Sequence, residues 1–393
     1  MVVPLPAPGE EKLTRPDAAE VQAMARGFAT ASAPASGLTD LQRVLLEALL
    51  VAMTDHRVAV AGLEPLPPEG FAEALAPRNL AFRTRGVQIA LLLALVLRPL
   101  PVEVVAKVEA LARAMGVDEG MVDVARRFAA GSLGLAAVDF ERNGYTADWD
   151  PSAAGALHTS SELRSAWDLA VTDAALAERW EALGDLPEGT LGRAVWQLYR
   201  ARGFAPPGRP GSAPPLLAQH DWAHVLADYG TTVESELEVF GFIARANDDM
   251  RAFSLLAMVV SLFETGYLRT GAGLFQADLG HLSSGSTPDA HGGVATRLAD
   301  AMARGAWCHD TETGSDSIDF LQVDWFALAP LPVEDVRRRF ALRPKSADAL
   351  AAGSVGPWEP GGISRFQLAS GQSMAAASGT PYDSYGATPP AQA

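Results

Sequence analysis

Apolar residues recur at helical spacing through most of the chain, and no segment alternates convincingly with the two-residue period of a half-buried strand. Leu41, Val44, Leu45, Ala48 and Leu49 mark one such face, with Asp40 or Thr39 placed to cap it. Residues 89–97 are almost entirely apolar, which predicts a helix buried on most sides. It stops at Pro99 and Pro101, because proline cannot continue the hydrogen-bond ladder. Residues 102–115 and 119–130 predict two more helices, with Gly116 closing the first.

Residues 143–152 are polar and aromatic and contain Gly144 and Pro151, so a domain boundary is expected there. Helices are then predicted at 160–169, 173–183 and 190–202. Five prolines and two glycines make residues 205–215 a loop. A helix over 216–227 breaks at Asp228-Tyr229-Gly230, and others follow at 232–246 and 251–267. Residues 270–320 are rich in Gly, Ser, Thr and Asp, and predict long loops around a helix at 293–306. The last amphipathic helix is expected at 332–340. The fold class is therefore all-α, in four parts. A flexible leader (1–37) carries one weak helical patch at 18–28, and a helical N-terminal bundle of unknown role spans 38–142. A second helical domain spans 155–345, and the Gly-, Ser-, Pro- and Ala-rich end (346–393) is expected to be disordered.

Charge narrows the partners. The 393 residues carry a formal net charge of −16, which argues against nucleic acid, since phosphate binding relies on clustered Lys and Arg. It also disfavours simple electrostatic docking on anionic lipid, although an apolar patch could still approach a membrane. The single cysteine, Cys308, excludes an internal disulfide and Cys-rich zinc modules, and fits a reducing cytoplasm. The N-terminus opens on Pro4, Pro6 and Pro8 followed by Glu10 and Glu11, unlike a secretory signal. The longest apolar runs, 89–97 and 253–263, fall well short of the roughly 20 residues a spanning helix needs. A soluble, cytoplasmic chain is expected, with peripheral contact at the inner face of the cell membrane left open.

The chemistry concentrates in one segment, which runs from His220-Asp221-Trp222-Ala223-His224 through Asp228-Tyr229-Gly230 to Glu236. His220 and His224 are four apart and so lie one turn apart on one helix face, with Asp221 at the edge of that face. The chain turns at Gly230, and Thr231 with Glu234 three later has the form of a capping box that starts a return helix. That helix brings Glu236 back toward the first. Two imidazoles and two carboxylates suit one divalent ion, Zn²⁺ first, with Mn²⁺, Fe²⁺ or Co²⁺ as further choices. A pair of His residues four apart is also a common polar surface face. The pattern is not HExxH and no third His follows at zincin spacing, so a metalloprotease is a poor reading.

The segment HDxxH, eleven residues (225–235) and then Glu resembles the signature of the ubiquinone (coenzyme Q) biosynthesis family known as Coq four. Leu186-Pro187-Glu188-Gly189-Thr190-Leu191-Gly192-Arg193 resembles that family's PxGTLG stretch, and Trp325 with residues 331–340 resembles its closing helix. The likeness covers residues about 155–345 and leaves the first 150 without a counterpart. It implies that His220, Asp221, His224 and Glu236 are metal ligands. It further implies a helical fold with an apolar tunnel for a polyprenyl tail, and work at ring C1 of a quinone precursor that replaces carboxyl by hydroxyl. Other quinone-biosynthesis proteins are the implied partners. The alternative is a non-catalytic prenyl-lipid-binding or scaffold protein in which the metal pins two helices.

Other residues carry less. Cys308-His309-Asp310 could pair a nucleophile with a base, but neighbours on one chain seldom orient that way. His281 and His291 fall in expected loop, and His56 and His158 look isolated. Arg337-Arg338-Arg339 reads as a charged helix face. Trp222 and Tyr229 are expected to pack behind the ligands.

Overall fold

A computed structural model describes residues 16–118, 172–210, 218–247 and 288–390, with the isolated positions 122, 125, 212, 213, 215, 253, 256, 257, 259 and 260. Within them the protein is all-α. Among the described residues there is no sheet, only the single bridges Thr190–Pro332 and Pro360–Thr388. Also among them, no helix is long and apolar enough to cross a membrane.

The chain forms two compact units. One takes Met1–Ala147, Asp248–Arg269 and Ala277–Ala303; the other takes Asp148–Asn247, Thr270–Gln276 and Arg304–Ala393. Each unit thus draws on three separate stretches of the chain.

The first unit packs helices α1 (Ala18–Ser32), α2 (Asp40–Thr54), α3 (Pro68–Ala74), α4 (Leu80–Leu95) and α5 (Val102–Ala114) against one another. Helix α4 contains most of the 89–97 stretch read as buried on most sides but starts at Leu80, capped by Asn79, and ends at Leu95; Val87 and Ile89–Leu95 are all nearly inaccessible. The expected flexible leader needs correcting here. Asp17 and Glu20 form a reciprocal cap on α1, and Glu20 also accepts two hydrogen bonds from Arg78, at 2.7 and 2.6 Å. Val21, Met24 and Phe28 of α1 are buried in the core. Composition hid this, because alanine-rich helices carry few large apolar residues to mark their inner face. Gln42 of α2 is buried and its amide donates to the carbonyls of Ser32 and Leu93, joining three helices.

The second unit holds α6 (Ala174–Glu181), α7 (Leu191–Arg202), α8 (Gln219–Ala227) and α9 (Val233–Ala246). After α10 (Pro288–Trp307), the unit continues with α11 (Trp325–Leu328), α12 (Val333–Arg339), α13 (Ala347–Ala351) and α14 (Arg365–Ser378). Helix α7 packs on α8, α11 and α14, and α8 packs on α9 and α12. The expected disordered end is also corrected. Ser364 and Gln367 form a capping box on α14, which lies along α7, and Tyr382 donates to the Ala201 carbonyl at 2.9 Å. Small residues make the contact: a Cβ on Gly371 would collide with the Ala201 backbone. The same Gly and Ala content that reads as low complexity lets this segment lie close to its neighbours. The helices expected at 119–130, 160–169 and 251–267 fall largely or wholly outside the described residues.

Candidate metal centre

Helices α8 and α9 carry all four candidate ligands. His220, Asp221, His224 and Glu236 are 3, 6, 0 and 3% exposed, so none is a solvated surface group. Helix α8 ends at Asp228, whose φ of 62° is the left-handed turn that reverses the chain. Helix α9 then starts one residue later than the sequence indicates. Its cap is Thr232, whose hydroxyl accepts from the Ser235 amide, rather than Thr231. The Thr231 hydroxyl is occupied elsewhere: it accepts from Arg202 Nε at 2.6 Å and donates to Gln367 Oε1 at 2.7 Å.

The four side chains meet. His220 Nε2 lies 3.5 Å from Asp221 Oδ1 and 3.3 Å from Glu236 Oε2, and His224 Nε2 lies 3.4 Å from Glu236 Oε1. Ligand atoms of His220, Asp221 and His224 all fall within 4.8 Å of one another. Zinc bonds of about 2.0–2.1 Å in a tetrahedron put neighbouring ligand atoms about 3.3–3.4 Å apart; three of the pairs have that spacing, while Glu236 lies outside the cluster of His220, Asp221 and His224 whose ligand atoms are all mutually within 4.8 Å.

Hydrogen bonding decides what these atoms can do. His224 Nδ1 lies 2.7 Å from the Gly230 carbonyl oxygen. A carbonyl only accepts, so Nδ1 carries the proton, and in the neutral ring Nε2 is a bare lone pair. That Nε2 is buried without a hydrogen-bond partner, and so is Glu236 Oε2. Glu236 Oε1 faces His224 Nε2 across 3.4 Å and Oε2 faces His220 Nε2 across 3.3 Å, so each buried nitrogen–carboxylate pair needs a cation, a proton or a metal ion, to join it. Asp221 is held from behind, its Oδ2 accepting from the Tyr199 hydroxyl at 2.6 Å. The His220 ring stacks on Phe240 at 4.9 Å. Such outer contacts fix ring orientation and ligand basicity in metal sites.

The charges are strongly coupled. Burial pushes the Asp221 carboxyl up, and the nearby imidazoles only partly offset that. Burial pushes Glu236 up as well, but the His224 and His220 rings, when protonated and donating through Nε2–H, more than reverse it and hold the carboxyl down at about 2; in that state protons occupy the place a metal ion would take. Burial and the Asp221 charge raise the Tyr199 hydroxyl well above its ordinary range, so it stays a donor. Arg202 is fully buried and pushed down to about 9 by burial, with Asp221 and Glu236 acting the other way. Its Nη2 donates to the carbonyls of Pro357 and Gly362 at 2.8 and 2.9 Å.

The C-terminal segment therefore clamps the turn between the ligand helices. The Gly230 amide donates to the Val355 carbonyl at 2.9 Å, and the Thr231 amide to the Gly362 carbonyl at 3.0 Å. A Cβ on Gly230 would sit 2.8 Å from Gly362 Cα, so both positions need glycine's bare backbone.

The remaining candidates separate. Trp222 is fully buried and packs α8 against Trp180 and Trp325, as expected of a support. Tyr229 instead packs on Phe242 beneath Arg304 and Lys345. The Cys308 thiol is buried and donates to the Arg304 carbonyl, while Asp310 caps a turn and pairs with Arg339, so no nucleophile-and-base pair forms. The three arginines are not a plain solvated face. Arg337 donates to the Leu226 and Val225 carbonyls at the end of α8, and Arg339 pairs with Asp310 and Glu312. His56 is exposed, and His158, His281 and the His291 side chain lie outside the described residues. Tyr199 and Arg202, three apart on α7, are site residues that sequence reading missed. Their one signal is a polar pair on an otherwise apolar face.

No protein-family model, characterised protein or solved structure matches this chain.

Proposed function

We propose that His220, Asp221, His224 and Glu236 bind one divalent metal ion, with Zn²⁺ the first choice. The observation that carries this is the buried His224 Nε2, its proton committed to the other ring nitrogen, facing the Glu236 carboxylate at 3.4 Å without a hydrogen-bond partner. Metal analysis of the purified chain tests it. One equivalent of metal is expected, lost in His224→Ala; a metal-free protein that takes up none on titration sinks the reading.

On the HDxxH-x11-Glu resemblance, we propose further that the protein acts in prenylquinone biosynthesis, on a polyprenylated hydroxybenzoate. The reaction breaks the C1–carboxyl bond with loss of CO₂ and forms a C1–O bond to an oxygen from water, and two electrons and two protons pass to O₂ to give hydrogen peroxide. A bound divalent ion would supply Lewis acidity toward the ring carboxylate or phenolate. Tyr199 holds Asp221 in place and the Gly230 carbonyl holds His224. Purified metal-loaded protein with O₂ and a prenylated hydroxybenzoate should release CO₂ and form the hydroxylated ring.

One observation favours a second reading, in which the ion pins α8 to α9 and the protein binds prenyl lipid or acts as a scaffold. Four protein ligands close a tetrahedral ion. Neither the slot of about 20 Å³ beside Tyr199 nor the larger cleft near Lys345 is lined by any of the four. The slot has room for little more than a water, so it is not the tunnel the resemblance implies. Stoichiometric lipid binding without turnover would select this reading.

A further inference from the structure

A cleft of about 610 Å³ lies wholly within the second unit, between the end of α10, α12 and the loop that leads to α13. Its size falls in the range of small-molecule sites. Five cationic side chains line it (Arg304, Arg337, Arg338, Arg343 and Lys345) against the two carboxylates of Asp228 and Glu334. That is a local excess of three positive charges on a chain of net charge −16.

Not all of these charges are available. Arg337 is spent on the α8 carbonyls and on Glu334, and Arg338 pairs with Asp335. Of the other three, Lys345 pairs with Asp228, and Arg304 and Arg343 complete the set. Arg304 is 5% exposed; its Nε donates to the Arg343 carbonyl, and its Nη1 is buried with no hydrogen-bond partner. The Lys345 side chain is 3% exposed, and its Nζ lies 3.3 Å from Asp228 Oδ2 without a directed hydrogen bond. Arg304 and Lys345 share the face of Tyr229, at 4.9 and 5.4 Å from the ring centre. Arg343 is exposed and lies over the Trp307 ring. Two buried cations on one aromatic face repel each other, and the carboxylates of Asp228 and Glu238 offset part of that. Burial lowers the Lys345 amine below its usual range, which marks the same unmet demand for negative charge.

We propose that this cleft binds a phosphorylated small molecule, its phosphate held by Lys345 and Arg304 on the floor and Arg343 at the rim. A phosphate group brings about two negative charges and three acceptor oxygens, one for each separate donor; a carboxylate brings one charge and two oxygens. None of the four candidate metal ligands lines the cleft, so the site stands or falls independently of the metal reading.

Titration of the full chain with inorganic phosphate and pyrophosphate tests this, by calorimetry and melting, against chloride at matched ionic strength. Saturable binding is expected, with a rise in melting temperature beyond the chloride control. Arg343→Ala changes an exposed side chain and should weaken binding at least about tenfold; Lys345→Met should abolish it. Absence of saturable binding in the unaltered chain overturns the proposal. So does Arg343→Ala binding pyrophosphate as tightly as the parent, which would place the anion elsewhere.

Discussion

At the scale of single residues, the decisive atom is His224 Nε2. Its partner nitrogen is tied to the Gly230 carbonyl, so removing the imidazole takes away a ligand and leaves that carbonyl unmet. His224→Ala should therefore lose the metal. Tyr199→Phe is the milder change. It removes the 2.6 Å hydrogen bond to Asp221 without touching a ligand, and loss of such a contact typically costs 10–100-fold in metal affinity. Competition against a fluorescent zinc chelator measures this. The carboxylates should respond to pH in opposite senses. In the metal-free chain Glu236 is held at about 2 against an ordinary 4.5, so its contribution to stability is full above 4.5 and is lost as pH falls toward 2. Glu236→Gln should lower the urea midpoint at neutral pH and flatten its fall across that window. Asp221 is raised, so its ionised form is a cost to the folded metal-free chain once pH exceeds the ordinary carboxylate range. Asp221→Asn should stabilise the metal-free protein at neutral pH while weakening metal binding; an unchanged or lower urea midpoint would contradict the burial argument. That His220 and His224 come together was legible because helix geometry converts a spacing of four into a shared face, and Glu236 because the turn at Gly230 starts a return helix. Tyr199 and Arg202 were not, since they lie over 20 residues upstream of Glu236 and only the tertiary packing of α7 on α8 delivers them.

At the scale of elements, the turn between α8 and α9 positions Glu236 against the two imidazoles, and it is held from outside. Its amides at Gly230 and Thr231 are both satisfied by carbonyls from residues 355 and 362. Gly230→Ala would drive a methyl into the Gly362 backbone, which has no rotamer by which to yield. A loss of about 1–3 kcal/mol is expected from such overpacking. Gly314→Ala makes a control, because its Cβ would meet nothing within 4 Å although its φ of 72° adds backbone strain. If chemical denaturation shows Gly230→Ala no worse than Gly314→Ala, the close approach is not what holds the turn. Helix positions were readable wherever apolar residues recur or a cap is present, as in α2, α4, α7 and α9. The leader and the C-terminal segment were misread for one shared reason. Alanine, glycine and serine can mark either a chain with nothing to bury or one that packs at short range, and composition does not tell these apart. Choosing Thr231 over Thr232 as the cap was a neighbour-scale error, settled by where Arg202 and Gln367 draw the hydroxyl.

At the scale of the whole molecule, the C-terminal segment and the metal site become one thermodynamic system. Arg202 is wholly buried, and its charge is carried by Thr231 together with the carbonyls of Pro357 and Gly362. Ending the chain after Lys345 would strip away both carbonyls, Gln367 and the α14 surface that covers α7, leaving the guanidinium with one protein partner in place of three and uncovering the apolar face of α7 around it. A charge that stayed buried without its partners would cost about 3–5 kcal/mol, an upper bound here because water reaches the uncovered guanidinium, and of the same order as the stabilisation a ligand gives at a hundred times its dissociation constant, about 2.7 kcal/mol. The two effects should therefore trade against each other. The shortened chain is expected to melt lower than the full chain, and added Zn²⁺ is expected to restore part of the difference by pinning α8 to α9 without the clamp. The full chain should gain less from the same zinc concentration relative to its own dissociation constant only if the clamp and the ion act on the same turn; equal gains would mean that they act separately. Calorimetric melting of both chains, with zinc and with chelator, distinguishes the two, and a shortened chain that melts with the full one would show that residues 346–393 support neither the fold nor the site.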